Sequence, residues 1–142
     1  MRVESGELKK ASVITEKSYV FALKVVALAR AIRKQGEYEL ASQLIRSGTS
    51  IGANVEEAQN GFSRADFIAK IGIALKEAAE TRYWLRLLRD SQLSPKDNIS
   101  QAILDVEELH RILASIVKTS REKPPPQLSI LHPQLSAKRL RS

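Results

Sequence analysis

Apolar residues recur at three- and four-residue steps in four successive segments, and no segment shows the strict alternation of a half-buried strand, so the chain reads as all-α. Phe21, Val25, Leu28, Ala29 and Ile32 form the stripe of the first segment, which Gly36 ends by accepting a left-handed backbone. The second segment aligns Leu44, Gly48, Ile51, Val55, Ala58 and Phe62, flanked by Ala41, Ile45 and Gly52, and runs out near Gly61. Ser47, Ser50, Asn54 and Glu57 make its polar side. Ser63 and Asp66 form a Ser-x-x-Asp cap that opens a third helix, with Phe67, Ile71, Ala74, Leu75, Ala78 and Leu85 as its stripe. Ser94-Pro95-Lys96-Asp97 supplies a cap, a proline at the first helical position and an acid in the first turn of a fourth helix. Its stripe is Ile99, Ile103, Val106, Leu109, Leu113 and Val117, and Pro124-Pro125-Pro126 forbids continuation. Short turns between long helices make sequential neighbours antiparallel, which predicts an up-down-up-down four-helix bundle over residues 1–123. Residues 124–142, proline-rich at the start and basic at the end, read as an extended or disordered tail.

Composition narrows the class. A chain of 142 residues suits one domain, and the absence of cysteine removes disulfide frameworks, thiol nucleophiles and cysteine-based zinc sites. The opening residues lack the apolar core of a signal peptide, and no run is long enough to span a bilayer, so a cytoplasmic protein with no membrane contact is expected. The net charge is +7, carried mostly by the two ends. Residues 1–36 hold eight bases against three acids, and residues 124–142 hold three bases and no acid. Such a balance attracts polyanions, so RNA or DNA is a candidate partner.

The residues refuse most chemistry. A di-iron bundle needs two Glu-x-x-His pairs, and only Glu107-x-x-His110 fits, because the other histidine, His132, falls in the tail. The small bundle ribonucleases of the HEPN type carry an arginine four to six residues before a histidine, and no arginine stands there. Serines and threonines have at most one ordered histidine to activate them, and no glycine-rich phosphate loop is present. A non-enzymatic protein with no cofactor and no metal is therefore expected.

What remains points to packing and contact. Gly48 and Gly52 each cost about 1 kcal/mol in a helix relative to alanine, and their four-residue spacing lets another helix approach closely. Lys24, Arg30, Arg33 and Lys34 follow Glu16 with no acid among them, so helix one, joined by Lys138, Arg139 and Arg141 of the tail, is the candidate nucleic-acid surface. No recognition helix or base-stacking platform accompanies it, so binding should be weakly sequence-specific and salt-sensitive. Leu23 and Val26 point away from the stripe of helix one, and Ile73, Trp84 and Leu88 widen the apolar surface of helix three, which predicts an oligomer interface or a surface for another protein.

The run Leu44-Ile45-Arg46-Ser47-Gly48-Thr49-Ser50-Ile51-Gly52-Ala53-Asn54-Val55-Glu56-Glu57-Ala58, followed by Ser63-Arg64-Ala65-Asp66-Phe67, Ala74-Leu75-Lys76-Glu77-Ala78 and Thr81-Arg82-Tyr83-Trp84-Leu85, resembles the four helix bundle proteins also called 23S rRNA-intervening sequence proteins. The resemblance spans roughly residues 17–120. It implies a fold similar to the accessory variability determinant of diversity-generating retroelements, a basic homopentamer that binds a reverse transcriptase and nucleic acid, and hence a homo-oligomer, a pentamer first. It implies no enzymatic activity. Within the motif it marks Ser50, Asn54 and Glu57 as a polar set able to bond across to neighbouring helices.

Overall fold

The computed structural model describes residues 5–91 and 96–122, which form four helices: α1 (Ser5–Lys34), α2 (Tyr38–Gln59), α3 (Arg64–Asp90) and α4 (Lys96–Glu122). Local chemistry sets the boundaries. Gly36, at φ +90°, ends α1. Its amide donates to the Arg33 carbonyl at 2.9 Å and that of Glu37 donates to the Ile32 carbonyl at 3.3 Å, so the last carbonyls of α1 are satisfied in a Schellman arrangement. At the start of α2 the Glu37 carboxylate accepts from the Leu40 amide. Ser63 is extended and its hydroxyl accepts from the Asp66 amide at 3.1 Å, which makes it the cap of α3. Ser94, Pro95 and the tail lie outside the described residues.

All four helices bury positions spaced alternately three and four residues apart. On α1 these are Ile14, Ser18, Phe21, Val25, Leu28 and Ile32, and on α2 Ala41, Leu44, Gly48, Ile51, Val55 and Ala58. On α3 they are Ile71, Ala74, Ala78, Thr81, Leu85 and Leu88, and on α4 Ile99, Ala102, Val106, Leu109, Leu113, Ile116 and Ser120. A mean step of 3.5 is the coiled-coil seam, and it lets long helices stay in contact at a shallow crossing angle. α1 begins well before the Phe21 stripe and adds Ile14 and Ser18 to the core.

Each helix packs against two neighbours: α1 and α3 both touch α2 and α4, but not each other. The cross-helix contacts run in opposite directions along α1–α4, α1–α2 and α2–α3. Lys10, Lys17 and Lys24 of α1 meet Ser115, Glu108 and Asp105 of α4. Gly48 and Gly52 of α2 lie against Val25 and Ser18 of α1, and Arg46 and Glu57 of α2 pair with Glu77 and Lys70 of α3.

The core differs from the apolar pattern at four positions. Ser47, expected on the polar side of the second helix, is fully buried, and its hydroxyl donates to the Gln43 carbonyl at 3.0 Å on its own helix. Thr81 and Ser18 satisfy themselves the same way through Glu77 and Thr15, so small hydroxyl residues occupy core positions at little polar cost. Phe62, expected in the second stripe, falls beyond the end of α2 and is fully exposed.

Candidate functional site

The bases expected to meet phosphates divide between two surfaces. Lys24 faces α4, where its ammonium pairs with Asp105 at 3.1 Å, so much of its charge is neutralised. Arg30, Arg33 and Lys34 are exposed in the last turns of α1, and Arg33 donates to the Ser42 hydroxyl of α2 at 3.2 Å. At about 100° per residue these three share one side of the helix and Lys24 sits on another. The last-turn cations also oppose the negative end of the α1 dipole, a role that needs no ligand. Lys138, Arg139 and Arg141 lie outside the described residues. Elsewhere, Arg89 donates to the Asp90 carboxylate at 2.8 Å, and this bond holds the acid below its usual range.

The polar set on α2 is more local than expected. Asn54 is half-buried, and its amide donates to the Ser50 carbonyl at 2.8 Å and the Ser50 hydroxyl at 3.2 Å, both within α2. Only Glu57 crosses a seam, to Lys70 of α3 at 2.8 Å, and that pair is exposed. The reason is reach: an Asn side chain at i+4 meets its own helix before it meets a neighbour. Gly48 and Gly52 mark close approach instead. A Cβ on Gly48 would sit 2.8 Å from both Val25 methyls, and one on Gly52 would sit 3.3 Å from the Ser18 carbonyl oxygen.

The apolar residues expected at an interface do not form one patch. Leu23 is exposed and Val26 half-buried on α1, while Ile73 is exposed and Trp84 half-buried on α3, the helix at the opposite corner. The Trp84 ring stands edge-on to Tyr83 with centroids 5.1 Å apart, and its indole N–H donates to the Glu80 carboxylate at 3.3 Å. Leu88 is a correction: it is fully buried at a seam position of α3 and is unavailable to another copy. Lying three residues after Leu85, it continues the core stripe.

One feature has no counterpart among the expected sites. Along the α1–α4 seam, the least tightly packed of the four, runs an open groove of about 310 Å³ floored by Val13, Val20, Phe21 and Leu109. Lys17 and Lys24 bridge it to Glu108 and Asp105, and Lys10 reaches Ser115 at 2.8 Å below it. The signal in the sequence is the seven-residue spacing of Lys10, Lys17 and Lys24, which places three cations on one edge of one helix.

Among the described residues no group of three or more histidine and carboxylate side chains is placed to hold a metal ion, and no helix is long and apolar enough to cross a membrane. His110 is half-buried on α4.

Comparison with known proteins agrees with this architecture. No curated protein matches the chain. A solved structure from Bacteroides thetaiotaomicron, described as a protein of unknown function from the S23 ribosomal protein family, is 44% identical. The match covers 77% of this chain and 98% of that one, with a TM-score of 0.73. The sequence profile for "23S rRNA-intervening sequence protein" matches residues 10–115, from the row of seam lysines on α1 to Ser115 opposite Lys10, and the chain belongs to that family.

Proposed function

We propose that the protein is a non-enzymatic helical-bundle adaptor that associates with RNA or DNA through the exposed bases of α1, assisted by Lys138, Arg139 and Arg141, and that it acts in the cytoplasm as a homo-oligomer. A pentamer is the first stoichiometry to test. The observation that carries the nucleic-acid reading is the trio Arg30, Arg33 and Lys34: all three are exposed on one side of α1, and none pairs with an acid among the described residues. Lys17, Lys24, Arg46, Lys70, Arg82 and Arg89 are each tied to a carboxylate, and the other exposed bases without an acidic partner among the described residues, Lys9, Lys76, Arg86, Arg111, Lys118 and Arg121, are spread over α1, α3 and α4. Phosphate contact through such cations releases counterions and is nearly indifferent to base sequence.

An electrophoretic binding series with RNA and DNA at increasing salt tests this. Affinity should fall steeply with salt, and Arg30→Ala/Lys34→Ala should flatten the log–log slope by about 1.4 to 1.8, the share of two phosphate contacts. No binding at low salt would refute the reading.

The second reading is a protein-binding scaffold without nucleic acid. It is favoured by Tyr19, Leu23, Ile73 and Leu104, each more than two-fifths exposed although large and apolar.

A further inference from the structure

We infer that the α1–α4 groove is the docking site for the chain's own C-terminal segment, which lays Leu128, Ile130 and Leu131 across Val13 and Val20. The inference does not rest on the nucleic-acid reading, because the apolar anchors Leu128, Ile130 and Leu131 precede the tail bases Lys138, Arg139 and Arg141.

The bundle presents an apolar trough where its helices pack least closely. Its floor is Val13, Val20, Phe21 and Leu109. α4 ends at Glu122, beside the beginning of α1, since Lys10 meets Ser115. From Glu122 back to Leu109 is thirteen residues of helix, about 20 Å at 1.5 Å per residue. A chain leaving Glu122 in an extended or polyproline conformation covers about 3.1 Å per residue, so it regains that height after about seven residues. Leu128, Ile130 and Leu131 then arrive over the groove. Pro124-Pro125-Pro126 supports this path, because three prolines cannot continue the helix and are pre-set for extended backbone. Leu128 and Leu131, three residues apart, face the same way on a polyproline helix, which has three residues per turn.

Charge agrees with the seating. Residues 123–142 carry four bases and no acid. The groove is edged by Glu16, Asp105 and Glu108, of which the last two already hold Lys24 and Lys17. Glu16 pairs with no cation among the described residues and is open to a tail base. The same-chain segment is favoured over a second copy because it is tethered within reach of the groove. Tethering makes docking intramolecular, with an effective concentration in the millimolar range.

The absence of cysteine allows a direct test on the full chain. Val20→Cys is combined in turn with Leu128→Cys, Ile130→Cys and Leu131→Cys. The same three partners are also combined with Ala79→Cys, an exposed position at similar height on α3. Dilute protein is oxidised, and disulfides are read by intact mass and non-reducing electrophoresis. At least one Val20 pair should close within the chain about tenfold faster than its Ala79 counterpart. Glu16→Lys should reduce that advantage. Equal rates from the two anchors would overturn the inference, as would disulfides formed chiefly between chains, which would give the groove to another copy.

Discussion

Replacing Gly48 by alanine tests how closely α1 and α2 are joined. On propensity alone the change should stabilise, because alanine is favoured over glycine inside a helix by about 1 kcal/mol. The structure predicts the opposite sign. The added methyl would lie 2.8 Å from both Val25 methyls and 3.2 Å from the Val25 Cβ. Val25 is buried, and its branched side chain has one preferred rotamer in a helix, so rotation only exchanges one blocking methyl for another. Relief requires the helices to part by some tenths of an ångström, and overpacking of this kind costs about 1 to 3 kcal/mol. The expected net loss is about 1 kcal/mol after the propensity gain, or about 4 °C in thermal midpoint for a domain of this size. Gly72 is the internal control. It lies within α3 with nothing inside 4 Å of the place an added methyl would take, so Gly72→Ala should raise the midpoint by a similar amount. Thermal denaturation followed by circular dichroism reads both. If Gly48→Ala stabilises as much as Gly72→Ala, the close approach of α1 and α2 is not what the glycine is for.

Other substitutions isolate single contacts. Gly36→Ala should cost about 1 to 2 kcal/mol through backbone strain alone, since its φ is +90° and nothing crowds the site; an unchanged denaturation midpoint would contradict that. Ser63→Ala should cost about 1 kcal/mol by removing the acceptor for the Asp66 amide, while Ser63→Gly should cost only a few tenths, a contrast chemical denaturation resolves. Asn54→Leu should shift stability by less than about 0.5 kcal/mol and leave oligomer size on a sizing column unchanged, because its bonds stay within α2; a loss several times larger would reveal a partner on another helix. A double-mutant cycle on Lys17 and Glu108 should give a coupling under about 1 kcal/mol that fades with salt, as for other half-exposed pairs.

The fold is legible because each helix announces its core by spacing and its ends by Gly36 and Ser63. Apolarity alone, however, hides part of the seam. Ser18, Ser47 and Thr81 hold core positions because each hydroxyl bonds back to its own helix, and a hydropathy reading assigns such residues to the surface. The alternating three-four step places Ser18 between Ile14 and Phe21 and Thr81 between Ala78 and Leu85, where hydropathy does not. Leu88 misleads for the converse reason: it is apolar and close to Trp84 in sequence, yet its register sends it inward. The candidate surfaces are less legible than the fold. A charge count treats Lys24 like Arg30, and only the position of Asp105 on a helix distant in sequence distinguishes them. The groove beneath Lys17 and Lys24 likewise exists only once α1 and α4, the first and last helices, are side by side.

The seven-residue rhythm shared by all four helices restricts how this molecule can change length. Adding one residue within a helix turns everything beyond it by about 100°, carrying seam residues outward and charged ones inward. Seven residues inserted into one helix restore its phase but leave it about 10 Å longer than its partners. Elongation without loss of packing therefore demands matched heptads in all four helices at the same level, whereas single insertions and deletions belong in the turns around Gly36 and Gly61.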